Sequence, residues 1–138
     1  MSIEEALVSI YDKPLVIVRH GPFMSREELG HIKEHLKRFC SAALDCSATE
    51  ERAQGGLTFR DINVCFWEYG PSDDKEFTLY VLIIAKHYPT RAETIQDRAE
   101  IIREKLCEEL GDDFKRKKVG ILAICPPAGW VENYASRL

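Results

Sequence analysis

A chain of 138 residues fits one domain and is long enough to bury about 68% of its unfolded surface without disulfide or metal staples. Hydrophobic residues at 45% and charged residues at 30% read as a soluble globular chain, and the net charge of -4 speaks against nucleic acid or an anionic membrane as the main partner. The five cysteines have no C-x-x-C spacing and no segment reaches the length of a membrane span, so free thiols in a cytoplasmic setting are expected.

Residues 1–13, "MSIEEALVSIYDK", form an extension in which Ile3, Ala6, Leu7 and Ile10 recur at helical spacing. Its acidic residues and lack of a long apolar run do not fit a signal peptide. "PLVIVR" follows as a first strand, with Pro14 at the entry position where a missing N–H is tolerated. "SREELGHIKEHLKRFCSAAL" is a helix. Ser25 and Glu28 make a capping box, and Leu29, Ile32, Leu36, Phe39 and Ala43 make an apolar stripe.

Residues 45–56 are polar and end in two glycines, which suits a loop. "INVCFWEYG" is a strand in which Val64 and Phe66 alternate with Asn63 and Cys65. "PSDDK" is a turn. "EFTLYVLIIAK" is a strand, and its centre, apolar on both faces, places it inside the sheet. A second helix is expected from a Thr90–Glu93 capping box through Ile95, Ala99, Ile102, Leu106 and Leu110 to a closing Gly111. "KVGILAI" is the last strand, and "CPPAGWVENYASRL" is a tail.

The fold class is therefore α/β: two β-α-β units forming a four-stranded sheet with two helices on one face, as a single domain over residues 14–138. The other face is too apolar to meet water, so a further subunit is expected to cover it. The same element order also permits a ferredoxin-like sandwich, which differs only in strand order.

Two β-α-β units with a proline opening the first strand resemble the tautomerase superfamily. The resemblance spans residues 14 to about 134. Its most similar segments, "YPTRAETIQDRAEIIREKL" and "KKVGILAICPPAGWVENY", look most like the branch containing cis-3-chloroacrylic acid dehalogenase and, more loosely, macrophage migration inhibitory factor. The resemblance implies a homotrimer and a small carboxylate-bearing substrate, with no cofactor and no metal. It implies an isomerase or dehalogenase in which an N-terminal proline amine is the base, arginines grip the carboxylate and a carboxylate side chain moves a proton.

Carried over, Pro14 matches the catalytic proline, Arg91 a substrate-binding arginine and Glu132 the acidic residue of the tail. Arg19 is a weaker candidate for carboxylate binding. The departure is that Pro14 is joined to Lys13, and an amide nitrogen is not a base. Pro14 is either a strand-entry residue or a catalytic one that needs residues 1–13 removed. The alternative function is a non-catalytic trimer that binds a metabolite or a partner.

His87, with Lys86, Tyr88 and Arg91 nearby, reads as a pocket-mouth residue or an exposed loop histidine, and His20 likewise follows a strand. His31, Glu34 and His35 spell H-x-x-E-H, read as a polar helix flank rather than a metal site. "KRKK", residues 115–118, reads as a solvated turn. Cys46 is the cysteine expected to be exposed, and Cys40, Cys65, Cys107 and Cys125 are expected in the core.

Overall fold

The computed structural model describes residues 13–46, 56–111 and 118–126. The expected helix in residues 1–13 and the tail with Trp130, Glu132 and Tyr134 lie outside the described residues. Strand β1 (Leu15–His20) leads through a short turn into helix α1 (Arg26–Ala43). The Ser25 half of the expected capping box forms: the Ser25 hydroxyl accepts the Glu28 N–H at 3.1 Å, and it donates to the Glu28 carboxylate at 3.2 Å. A one-turn 3-10 helix (Phe59–Asp61) then precedes β2 (Asn63–Glu68). Asp61 caps it by accepting the Thr58 N–H at 2.7 Å.

After β3 (Leu79–Ile84), the second helical segment departs from expectation. It begins two residues earlier, because Pro89 takes the first helical position with Tyr88 as its N-cap, so the Thr90–Glu93 box does not form. The segment is also broken into α2 (Pro89–Glu93) and α3 (Ile95–Leu110). At the break, Thr94 leaves helical geometry while its hydroxyl and its N–H both donate to the Thr90 carbonyl, at 2.8 and 3.3 Å. This is local competition with the helical ladder. Gly111 closes α3 at a φ of 86°, a conformation that glycine adopts without steric cost. Strand β4 (Val119–Ile124) completes the sheet.

The strand order is β2-β1-β3-β4. β1 and β2 are parallel neighbours, as are β3 and β4, and β1 meets β3 antiparallel in the middle. In a ferredoxin-like sandwich another strand would split each β-α-β pair. Here the paired strands are adjacent, which settles the alternative.

Alternation divides the strands between two faces. Val16, Val18, Val64, Phe66, Leu79, Val81, Ile83, Ile121 and Ala123 meet the helices. Against them pack Ile32, Leu36, Phe39 and Cys40 of α1 and Ala99, Ile102 and Leu106 of α3. Leu15, Ile17, Cys65, Trp67, Leu82, Leu122 and Ile124 occupy the other face, which no helix among the described residues covers; Trp67 is 57% exposed and Leu122 47%. Replacing Leu36 or Ile102 by alanine should lower the unfolding free energy by about 2–5 kcal/mol in a urea titration. Ile101→Ala, on the exposed side of α3, should stay within about 0.5 kcal/mol.

Candidate functional site

The antiparallel β1–β3 register fixes what stands at each end of the sheet. Leu15 lies opposite Ile84. Pro14 therefore meets the exit of β3, where Ala85 donates its N–H to the Ile124 carbonyl at 3.0 Å. Pro14, the 85–88 turn and Cys125 share this end. Pro14 is buried, and its carbonyl accepts the Asn63 N–H at 3.0 Å. It thus performs the strand-entry role, with its nitrogen tied in the amide to Lys13. His87 is exposed on the turn beside it. The Lys86 ammonium lies over the ring of buried Tyr88, 5.5 Å from its centroid.

Arg91 does not open onto this end. It is fully buried, and its Nε donates to the Leu44 carbonyl at 2.9 Å and its Nη1 to the Lys86 carbonyl at 3.0 Å. Its guanidinium also stacks on Tyr88 at 4.9 Å. Arg98 joins it, donating from Nη1 to the carbonyls of Ala43 and Asp45 at 2.9 and 3.0 Å. α1 has no basic residue in its own last turn, so two arginines from the second β-α-β unit supply the positive charge and donors that its C-terminal carbonyls need. The sequence gives no signal for this clamp, because it joins residues some fifty positions apart.

The clamp also explains a misplaced cysteine. Cys46 follows the clamped carbonyls into the interior and is 1% exposed, not the reactive loop thiol expected. Cys65 reverses the other way, exposed on the uncovered face by strand alternation. Cys40 is in the core as expected, and burial pushes its thiol up to about 12.

Arg19 stands at the opposite end of β1 from Pro14, about 16 Å away at the rise of an extended strand. Its Nη2 donates to Asp73 Oδ2 at 3.0 Å, and its guanidinium lies 4.8 Å from the Tyr69 ring centroid. Burial pushes the Tyr69 hydroxyl up, with Arg19 opposing and Tyr80 and Asp73 adding to the rise. Pro14 and His87 thus share one end of the sheet and Arg19 stands at the other, while Arg91 is buried behind the 85–88 turn, bonded to the Lys86 carbonyl. His20 is buried rather than in a loop, because its parity with Val16 and Val18 points it to the helix face; its Nδ1 lies 2.7 Å from the Gly21 carbonyl.

The H-x-x-E-H residues are a polar flank. His31 is exposed near Glu27, and His35 stacks on Phe39 while accepting from Arg38 at 2.7 Å. Among the described residues no three metal-ligating side chains gather, and no helix is long and apolar enough to cross a membrane.

No protein-family model matches the sequence, and no curated protein does either. The fold does have relatives among solved structures. A 5-carboxymethyl-2-hydroxymuconate delta-isomerase superimposes with a TM-score of 0.61 at 11% identity, over 92% of this chain and 93% of that one. A wild-type fused 4-OT described as an asymmetric trimer gives 0.60 at 10% identity, over 89% and 97%. A malonate semialdehyde decarboxylase, described with decarboxylase and hydratase activities, gives 0.59 at 10% identity, over 88% and 92%. At such identities the likeness defines the fold alone. It is the tautomerase-superfamily fold that the sequence resemblance implied.

Arg91→Ala should cost about 2–3 kcal/mol of stability in chemical denaturation, because it strands buried carbonyls. Arg91→Lys should recover little, since one ammonium cannot reproduce the guanidinium fork.

Proposed function

We propose that this chain is a cytoplasmic homotrimer of the tautomerase fold that takes a small carboxylate-bearing molecule, such as a 2-keto or enol acid, at the Pro14 end of the sheet. In this reading it acts there as an isomerase or hydrolytic dehalogenase when Pro14 carries a free amine. The supporting observation is the place of Pro14 at the head of a central strand, beside the turn that carries Lys86 and His87.

Freed from the amide, its nitrogen regains a basic lone pair, and the low-dielectric surroundings of a buried site favour the neutral form. Such an amine takes the O–H proton of an enol acid and returns it to carbon, giving the ketone. Lys86 and His87 would meet the substrate carboxylate, and Glu132 would assist the proton. Arg91 acts through Lys86, whose carbonyl it holds. The apolar uncovered face supports the trimer, since Leu122 and Ile124 would be shielded by neighbouring subunits.

A second reading is favoured by the peptide bond to Lys13 and the burial of Pro14: the intact chain binds its ligand without chemistry. The test compares the full chain with one beginning at Pro14, made as Met-Pro and matured by loss of the methionine. Both are assayed on 2-keto acids, enol acids and haloacrylates. A general base contributes about 10²- to 10⁴-fold, so the shortened chain should exceed the full one by at least about a hundred-fold. Turnover by neither chain would establish the non-catalytic reading. Equal turnover by both would assign the base to a group other than Pro14.

A further inference from the structure

Two pieces of chain flank Pro14 at its end of the sheet. One is the entry to β2, whose Asn63 N–H donates to the Pro14 carbonyl at 3.0 Å. The other is the 85–88 turn, which follows the strand paired with β1 on its other side. They belong to different β-α-β units, yet both are hung from residues 43–45, where α1 ends.

The β2 entry hangs from Asp45, whose Oδ1 accepts the Leu57 N–H at 3.1 Å. From there the chain is bonded to itself. The Asp61 carboxylate accepts the Thr58 N–H at 2.7 Å, the Asp61 N–H donates to the Thr58 carbonyl at 3.0 Å, and Ile62 is fully buried. A shift at Leu57 therefore carries through to Asn63. The turn hangs from Leu44, because the Arg91 guanidinium holds the Leu44 and Lys86 carbonyls together.

Residues 43–45 are in turn held by Arg98. Its Nη1 takes the carbonyls of Ala43 and Asp45, on either side of the one that Arg91 takes. These carbonyls stand where a helix end leaves its acceptors without intrahelical donors. The Arg98 Nε donates to the Thr94 hydroxyl at 2.7 Å, and that hydroxyl donates to the Thr90 carbonyl at 2.8 Å. The break between α2 and α3 thus has a use: Thr94 is the post that aims the guanidinium. A planar fork serves one hydroxyl and two carbonyls in fixed directions, which an ammonium does not. Among the described residues, the hydrogen bonds of Arg98 go to Thr94, Ala43 and Asp45, so it reaches the Pro14 end only through residues 43–45.

We infer that Arg98 is a positioning residue for the Pro14 end: by fixing residues 43–45 it sets the β2 entry and the 85–88 turn as one unit, and with them the walls that a ligand meets. The effect on a ligand rests on the reading that one binds at this end, with or without chemistry. The link between the two walls does not.

The link is tested first, without ligand, by backbone amide NMR of the full-length protein. Arg98→Lys keeps the charge and loses the fork, and it should move the signals of Asn63 and of Lys86 and His87 together. Arg103→Lys, exposed on the same helix, should move none of them. Asp45→Ala should move Asn63, and Asp45→Asn, which keeps an acceptor for Leu57, should restore it. Movement of Asn63 without the turn, or of the turn without Asn63, in Arg98→Lys overturns the inference.

Pyruvate is then titrated into the full-length variants. Arg98→Lys and Asp45→Ala should each weaken it about five-fold, while Asp45→Asn and Arg103→Lys leave it unchanged. Ile32→Val, a core change in the N-terminal half of α1, should lower the melting temperature without altering affinity. The inference is overturned if pyruvate affinity survives Arg98→Lys, or if Ile32→Val weakens pyruvate equally at a matched loss of melting temperature. A parent chain that binds no pyruvate counts against the ligand reading instead, and the NMR comparison then decides the inference by itself.

Discussion

The antiparallel seam between β1 and β3 is the constraint on which the rest of the molecule depends. It joins two parallel β-α-β units back to back, pairing Leu15 with Ile84 and His20 with Leu79. Because side chains alternate with a period of two, a slip of one residue would exchange the two faces of the central strands. The helix face, lined by Val16, Val18, Val81 and Ile83, admits no such exchange, since Arg19 and Tyr80 would then enter the core. The same register brings the exit of β3 to the Pro14 end of β1 and the start of β3 to the Arg19 end.

The seam also organises the polar interior. α1 ends near α3, and its carbonyls are satisfied by Arg91 and Arg98. A buried guanidinium is costly unless its donors are used, and backbone carbonyls at a helix C-terminus use them well. Arg91 reaches the carbonyl of Lys86 as well, so one side chain ties the end of the first unit's helix to the turn beside Pro14. Stability and the shape of the candidate site are therefore coupled through the same residue.

The two sheet ends pose different chemical situations. At the Pro14 end, the proline nitrogen is held in the amide to Lys13 and carries no basic lone pair. At the Arg19 end, Arg19 and Lys118 are paired with Asp73 and Glu76 of the connection from β2 to β3 through partly exposed ion pairs. The first is a covalent restraint and the second an electrostatic one, separated by the length of a six-residue strand.

Much of this was legible in the sequence wherever the signal is local. Apolar periodicity gave all four strands and the body of both long helices. The Ser25 cap and Gly111 stop were readable because capping chemistry acts within one turn. The apolar pattern of "VLIIA" correctly placed β3 inside the sheet. Where neighbouring residues compete, local reading failed: Pro89 and Thr94 together displaced the expected cap and split the helix. Long-range partners were beyond it altogether. Nothing within a few residues of Arg91 reveals that its donors meet Leu44 across the fold, or that the carbonyls so held draw Cys46 inward. By itself the sequence determined the elements and their two-faced character, because those follow from backbone geometry and burial along one segment. The tertiary structure alone decided that the 85–88 turn stands at the Pro14 end, that Arg91 is a clamp, and that Asp73 and Glu76 sit on Arg19 and Lys118, because each of these depends on which strand lies beside which.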